Sequence, residues 1–278
     1  MHEFGYVKFD DLNQALDFLS ETDNVSLLQG GTDLMVDLRH GVKQPKHVAN
    51  IKSIPELNVL EETDEGIEIG AAIPLNHLLK SDLLKEKVPV LYQGCHEIAS
   101  FPIRNRATLG GNICTSSPAA DTSSALYCLD ARVKIASRDG KREVHIEEFF
   151  QGPKQNALKP GEIVTSVIIP KPYPTGKGVY YKLSRTNSVD LASIGVALQE
   201  NNGKVKIAIN ACAPTPVRAT SVEKAVNEEN ETDFKKAAAL VEQDIKPIDD
   251  IRGSAEYRYH TAKVLVRRGL EETMKGGQ

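Results

Sequence analysis

Two glycine pairs carry the most chemical information in the sequence: Gln29-Gly30-Gly31-Thr32-Asp33-Leu34 and Ala107-Thr108-Leu109-Gly110-Gly111-Asn112, about eighty positions apart. Glycine has no Cβ, so backbone amides beside it can approach a ligand closely and turn inward as an anion-binding nest. Neither stretch contains a lysine. Binding by amides and short polar side chains suits a permanently held diphosphate better than a phosphoryl group in transfer. Taken singly, each pair also fits a plain tight turn. What favours a two-sided diphosphate clamp is their position in extended loops beside hydrogen-bonding side chains. No GxGxxG, GxxxxGK[ST] or GxSxG motif is present.

The elements that must position these loops follow from periodicity. Residues 4–9 read as a strand. Leu12, Ala15, Leu16 and Leu19 keep helical spacing, so a helix starts near Asp10 or Asp11. A strand over 25–28 runs into the first glycine pair, a short helix over 34–39 follows, and a strand over 47–51 closes an α/β unit, residues 1–55. Residues 56–174 read as a second unit. It has strands at 57–61, 66–71, 132–137, 141–145 and 163–169, with helices after Pro74, over 89–99 and over 121–129. Pro170, Pro172, Pro174 and Gly176 mark a linker. Residues 175–278 read as an α+β domain with three strands (179–184, 194–199, 204–211), the last two joined at the hairpin signal Asn202-Gly203. Three helices follow, with a tail over 274–278 expected to fray.

Composition excludes several classes. The 278 residues carry a net charge of -4 and only 5% aromatic residues, so neither a field for nucleic acid nor a base-stacking surface is expected. No apolar run reaches the roughly 20 residues of a membrane span. Met1 to Gly5 lacks the basic and apolar blocks of a signal peptide, and the expected compartment is the cytoplasm. Cys95, Cys114, Cys128 and Cys212 form no CxxC pair and are expected to be buried or half-buried free thiols. No metal site is expected from this chain alone.

The run from Ser100-Phe101-Pro102-Ile103-Arg104-Asn105-Arg106 through Ala107-Thr108-Leu109-Gly110-Gly111-Asn112-Ile113-Cys114 to Ser117-Pro118-Ala119-Ala120-Asp121 closely resembles the FAD-binding subunit of the molybdenum hydroxylases, the xanthine dehydrogenase and carbon monoxide dehydrogenase family. Leu27-Leu28-Gln29-Gly30-Gly31-Thr32-Asp33, Leu158-Lys159-Pro160-Gly161-Glu162-Ile163-Val164, Tyr181-Lys182-Leu183-Ser184-Arg185 and Ala213-Pro214-Thr215-Pro216-Val217-Arg218-Ala219 resemble its other signatures, in the family's order. The resemblance implies an α+β chain: a p-cresol methylhydroxylase-type FAD-binding fold of two α/β subdomains, and a C-terminal domain with a three-stranded antiparallel sheet and helices. It implies that Leu27, Leu28, Gln29, Gly30, Gly31, Thr32 and Asp33 wrap one side of the FAD pyrophosphate, and Thr108, Leu109, Gly110, Gly111 and Asn112 the other. Asp121 would hydrogen-bond a polar flavin group, Ile98 and Val164 would give apolar contacts, and Lys182 would lie by the isoalloxazine, where a cation favours the reduced anion.

The resemblance also implies partners. A molybdenum–pterin large subunit would oxidise the substrate, and a [2Fe–2S] small subunit would relay electrons to this FAD and on to NAD or another acceptor. The Asn112-Ile113-Cys114 variant leans towards a xanthine dehydrogenase. No cysteine-rich insertion is present, so FAD is the expected sole redox centre of the chain. Two rival readings share the fold: a stand-alone flavoenzyme like UDP-N-acetylenolpyruvoylglucosamine reductase, and a flavin-free scaffold. At the level of single residues, Asp121 is equally good as a helix N-cap, Lys182 as a solvated strand residue, Ile98 as plain core, Thr32 as a turn residue, and Arg104 and Arg106 as surface charges.

Overall fold

The computed structural model describes residues 2–186 and 189–274. Strands β1 (Gly5–Lys8), β2 (Val25–Leu28) and β3 (His47–Asn50) form a parallel sheet in the order β1-β3-β2. Parallel neighbours need crossover connections, and helices α1 (Leu12–Glu21) and α2 (Leu34–Arg39) supply them. The Asp11 carboxylate caps α1 by accepting from the Gln14 amide at 2.9 Å, and Leu12, Ala15 and Leu16 turn inward. The edge strand β2 ends at the first glycine pair.

The second sheet is antiparallel, in the order β4 (Leu60–Glu62), β5 (Gly66–Gly70), β10 (Ile163–Pro170), β6 (Arg132–Ser137), β7 (Gly140–His145). A small hairpin of β8 (Phe150–Gly152) and β9 (Gln155–Asn156) precedes β10. The strand expected over 57–61 begins later, at Leu60, because Pro55–Leu57 wind into a 3-10 turn that sends Leu57 into the core. Between β5 and β6 come α3 (Leu75–Leu78), α4 (Asp82–Lys87), α5 (Pro89–His96), α6 (Phe101–Arg104), α7 (Leu109–Thr115) and α8 (Asp121–Cys128), and α9 (Ile146–Phe149) follows β7.

The C-terminal sheet runs β11 (Gly178–Leu183), β12 (Ile194–Asn201), β13 (Lys204–Asn210), β14 (Val217–Arg218), all antiparallel. β12 and β13 meet at Asn202-Gly203, both at positive φ as a tight hairpin requires. The expected three strands thus gain a short fourth. It is pinned by the Arg218 guanidinium, which donates twice to Glu223 at 2.8 and 2.6 Å. Helices α10 (Thr220–Asn227), α11 (Phe234–Ala239) and α12 (Ala255–Met274) cover this sheet. Past Met274 the expected frayed tail lies outside the described residues.

Alternation along the strands gives the third sheet two faces. Val179, Val196, Leu198, Ile207 and Ile209 meet Ala262, Leu265, Val266 and Leu270 of α12 in one core. Tyr180, Ala197 and Ala208 point the other way and join the core of the first two sheets. The small alanines leave room for α8, which packs against β12 and β13. All eight residues of α8 are buried, so its hydroxyls need partners. Thr122 donates to Asn112 Oδ1 at 2.6 Å, Ser123 to the Ala120 carbonyl at 2.6 Å and Ser124 to Asn210 Oδ1 at 3.0 Å.

Arg258 of α12, 1% exposed, donates to Asp250 Oδ1 and to the Ile248 carbonyl, both at 2.5 Å. Asp250 also accepts from the Arg252 guanidinium at 2.6 Å, so loss of Arg258 leaves that carboxylate paired but takes a charged donor from it and from the Ile248 carbonyl and a packed side chain from the core. Arg258→Ala is expected to lower unfolding free energy by about 2 kcal/mol in urea denaturation, the scale of hydrogen bonds from a charged group; a loss under about 1 kcal/mol would mean that Arg258 does not anchor this turn.

Candidate cofactor site

The two glycine pairs touch. A Cβ on Gly30 would collide with the carbonyl of Arg106 and lie 3.0 Å from Ala107 Cα, so only glycine lets these backbones meet. Gly31 sits at φ +77°, where other residues are strained. Side chains stitch the same seam. Thr108 donates to Gln29 Oε1 at 3.3 Å and accepts from the Gly111 amide at 3.0 Å, and Thr115 donates to Asp33 Oδ2 at 3.1 Å.

Gly110 and Gly111 do not lie in an extended loop, as expected, but in the first turn of α7. The Thr108 hydroxyl caps that turn, which overrides the poor helix propensity of Leu-Gly-Gly-Asn. Gly110 seats the helix against Ala71. The first pair leads into α2 without a side-chain cap, Gly31 O accepting from Met35 N at 3.0 Å. Among the described residues, the amides of Gly30, Gly31, Thr32, Asp33, Leu109 and Gly110 donate to no protein acceptor. Two sets of free amides, each opening a helix, thus flank the contact of Gly30 with Arg106 and Ala107. Free amides of this kind are donors that an anion can use without a lysine or arginine. Leu27 to Thr32 are half-buried and Asp33 is exposed.

The seam continues into a buried ion pair. Asn112 accepts from Thr122, the neighbour of Asp121. Asp121 and Lys182 are bonded at 2.8 Å, with side chains 6% and 4% exposed. Tyr180 donates to the other Asp121 oxygen at 2.8 Å. Lys182 Nζ also donates to the Glu97 carbonyl at 2.8 Å, one residue before Ile98. Burial pushes the Asp121 carboxyl up from 3.8 to about 6, against the pull of Lys182 and Tyr180. Burial and the facing Asp121 raise the Tyr180 phenol well above its ordinary value.

Asp121 is not the N-cap of α8. Ala120 holds that position and makes no side-chain cap, and the Asp121 carboxylate is turned to Lys182 and Tyr180. Nor is Lys182 a solvated strand residue. Arg104 is an anchor rather than a loose surface charge: it donates to the carbonyls of Ile98 and Ala99, both at 2.9 Å, and to Asn76 at 3.2 Å. Arg106 is exposed. Ile98 and Val164 are buried in the main core; Val164 lies on β10, on which α7 packs, with no polar link to the seam. Tyr180 and Asn210 were not among the sequence candidates. Tyr180 lies two residues before Lys182, hence on the same strand face, and Asn210 ends β13 directly after the apolar run Ile207-Ala208-Ile209. Cys114 is half-buried, the other three cysteines are buried, and all four are free. Among the described residues no cluster could hold a metal and no helix is long and apolar enough to cross a membrane.

Residues 2–172 match the family described as the FAD binding domain in molybdopterin dehydrogenase, and residues 179–273 the CO dehydrogenase flavoprotein C-terminal domain. The chain belongs to the FAD-binding subunits of the molybdopterin dehydrogenases. It is 33% identical to the glyceraldehyde dehydrogenase medium chain of Sulfolobus acidocaldarius, over 97% of this chain and 98% of that one. It is 28% identical to a putative xanthine dehydrogenase FAD-binding subunit of Escherichia coli, over 99% and 97%. A solved carbon monoxide dehydrogenase chain from Hydrogenophaga pseudoflava superposes with a TM-score of 0.91 at 28% identity, covering 97% of this chain and 96% of that one. The fold and the FAD assignment that the sequence implied both stand. The free amides along the seam fit a molybdopterin dehydrogenase FAD domain, because a diphosphate needs donors.

Two measurements probe the seam. Thr108→Ala removes the cap of α7 and is expected to cost about 1 kcal/mol in denaturation; no change would remove the capping role. Asp121 titrates higher folded than unfolded, so its contribution to stability is full below 3.8 and is lost as pH rises through about 6. The unfolding free energies of the native chain and Asp121→Asn should therefore converge on acidification from pH 7 to pH 4. Parallel curves would show that this carboxyl does not titrate in that window.

Proposed function

We propose that this chain is the electron-transfer medium subunit of a molybdenum hydroxylase, working in the cytoplasm between a [2Fe–2S] small subunit and NAD or another acceptor, beside a molybdenum-bearing large subunit. The observation that carries the reading is the seam itself: free amides from two helix starts, meeting across Gly30 and running on to the buried Asp121–Lys182 pair. Leu27 to Asp33 would hold one side of the FAD pyrophosphate and Thr108 to Asn112 the other. Asp121 and Lys182 would meet the polar edge of the ring, with Ile98 and Val164 as its apolar surround. Bound there, FAD supplies a carrier that takes single electrons from an iron–sulfur centre and yields a pair to NAD. The chain's own work is to bind, orient and exclude water, and no acid or base is asked of it. The four free thiols fit a reducing compartment.

The relatives are named as chains of a glyceraldehyde dehydrogenase and a carbon monoxide dehydrogenase, and the putative subunit from Escherichia coli is named for xanthine. A purine preference for this chain rests on Asn112-Ile113-Cys114. In the fold these residues serve construction: Asn112 accepts from Thr122, and the Cys114 carbonyl accepts from Asn156 at 2.8 Å. The substrate class is thus a property of the large subunit.

The purified chain, or its complex, should show a flavin absorption spectrum and release FAD on denaturation. Gly30→Ala should cut FAD occupancy at least about tenfold, a loss of roughly 1.4 kcal/mol in binding, with an unchanged circular dichroism spectrum. A colourless native complex, or full occupancy in the variant, would sink the reading. In the complex, flavin bleaching driven by the large subunit's substrate should require the [2Fe–2S] subunit; equal bleaching without it would refute the electron route.

A further inference from the structure

The third sheet is built to hold one hydroxyl. Lys182, Gly195 and Asn210 stand in register across β11, β12 and β13. A Cβ on Gly195 would collide with both the Tyr180 hydroxyl and Asn210 Oδ1, so the missing side chain is the space the phenol occupies. Tyr180 donates to Asp121 at 2.8 Å and lies 3.4 Å from Asn210 Oδ1, which itself accepts from Ser124 at 3.0 Å. Tyr180, Asn210 and Ser124 are all buried. The phenol therefore has one proton, one close carboxylate partner and no exit to water.

This arrangement changes what Lys182 can do. A lone buried ammonium would present a full positive charge to a ring beside it. Paired with an ionised Asp121 it presents a dipole; paired with a protonated Asp121 it presents the full charge. A hydrogen bond to a carboxylate favours the ionised form. Resting on the flavin reading above, we propose that Tyr180 is a positioning residue that acts through Asp121 to set how much of the Lys182 charge the bound flavin feels. The proton involved is exchanged between Asp121 and solvent, and no bond to the cofactor is made or broken. The groups that face the Asp121 carboxyl are Lys182 and Tyr180 from β11 and Glu97 beyond the end of α5. Asn210, from β13, is the neutral group behind the phenol.

The test reads the absorption band of the bound oxidised flavin between pH 5 and pH 8, a range in which the oxidised ring has no ionisation of its own. In the native complex the band position should follow a one-proton curve with a midpoint near pH 6, the value to which the Asp121 carboxyl is raised. Asp121→Asn should flatten the curve. Tyr180→Phe should move the midpoint up by about one pH unit, the size of one hydrogen bond to an ionised group. In case that variant loses FAD, 3-fluorotyrosine placed at position 180 keeps the hydroxyl and makes it a stronger donor, so the midpoint should fall. A merely structural role for Tyr180 would move neither midpoint. A flat native curve, or a midpoint unmoved by the change at position 180, overturns the proposal while leaving FAD binding intact. A colourless native complex would instead defeat the reading on which it rests.

Discussion

The contact on which the site depends is the meeting of backbones at Gly30. There the end of the parallel sheet rests directly on the Arg106–Ala107 peptide, with no side chain between. That approach brings two helix starts together, each with amides that have no protein partner. Neither start is an anion site of consequence alone, because α2 and α7 are short. Together they offer donors from two directions, and their spacing is fixed by van der Waals contact rather than by flexible side chains. The Gln29–Thr108 and Asp33–Thr115 bonds then hold the seam in register.

The second requirement is that this seam be tied to the C-terminal sheet, and the fully buried α8 performs that task. A helix whose first turn reads Asp-Thr-Ser-Ser would ordinarily stand at a surface. Here three of the four polar groups are matched to partners on different elements, Thr122 to α7, Asp121 to β11 and Ser124 to β13, while Ser123 turns back to the Ala120 carbonyl at the helix start. Polar groups so satisfied specify position more sharply than apolar packing does, since any slip leaves a buried donor or acceptor bare. The glycine seam and the Asp121–Lys182 pair are thereby linked through one chain of hydrogen bonds, although their residues come from all three sheets' surroundings.

Much of this was legible in the sequence, and the failures share a cause. The strand Val25–Leu28, the helix Leu34–Arg39 and the hairpin at Asn202-Gly203 are set by local signals and lie where those signals put them. Helix α7 was not legible, because its propensity is poor and the Thr108 cap supplies what its residues lack. The role of Asp121 was only half legible. Its carboxyl lies at a position where local rules favour capping, and a partner 61 residues away draws it off. Arg104 misled for the same reason, since its acceptors are carbonyls in a loop that folds back over it. Tyr180 and Asn210 leave no motif. Their function arises from a vacancy at Gly195 on the strand between them, which exists only once the sheet has paired.

A buried ion pair is also a different instrument from the lone cation that the sequence suggested for Lys182. Bringing Lys182 and Asp121 out of water carries a desolvation penalty that their mutual attraction only partly offsets. The elevated carboxyl of Asp121 is the visible remainder of that penalty. A chain selected only for stability would do as well with two apolar residues here. The pair makes physical sense when a third group, polar and able to carry charge, is to occupy the seam beside it. Lys182 has spent two of its three N–H bonds on Asp121 and the Glu97 carbonyl, and among the described residues the third has no protein acceptor.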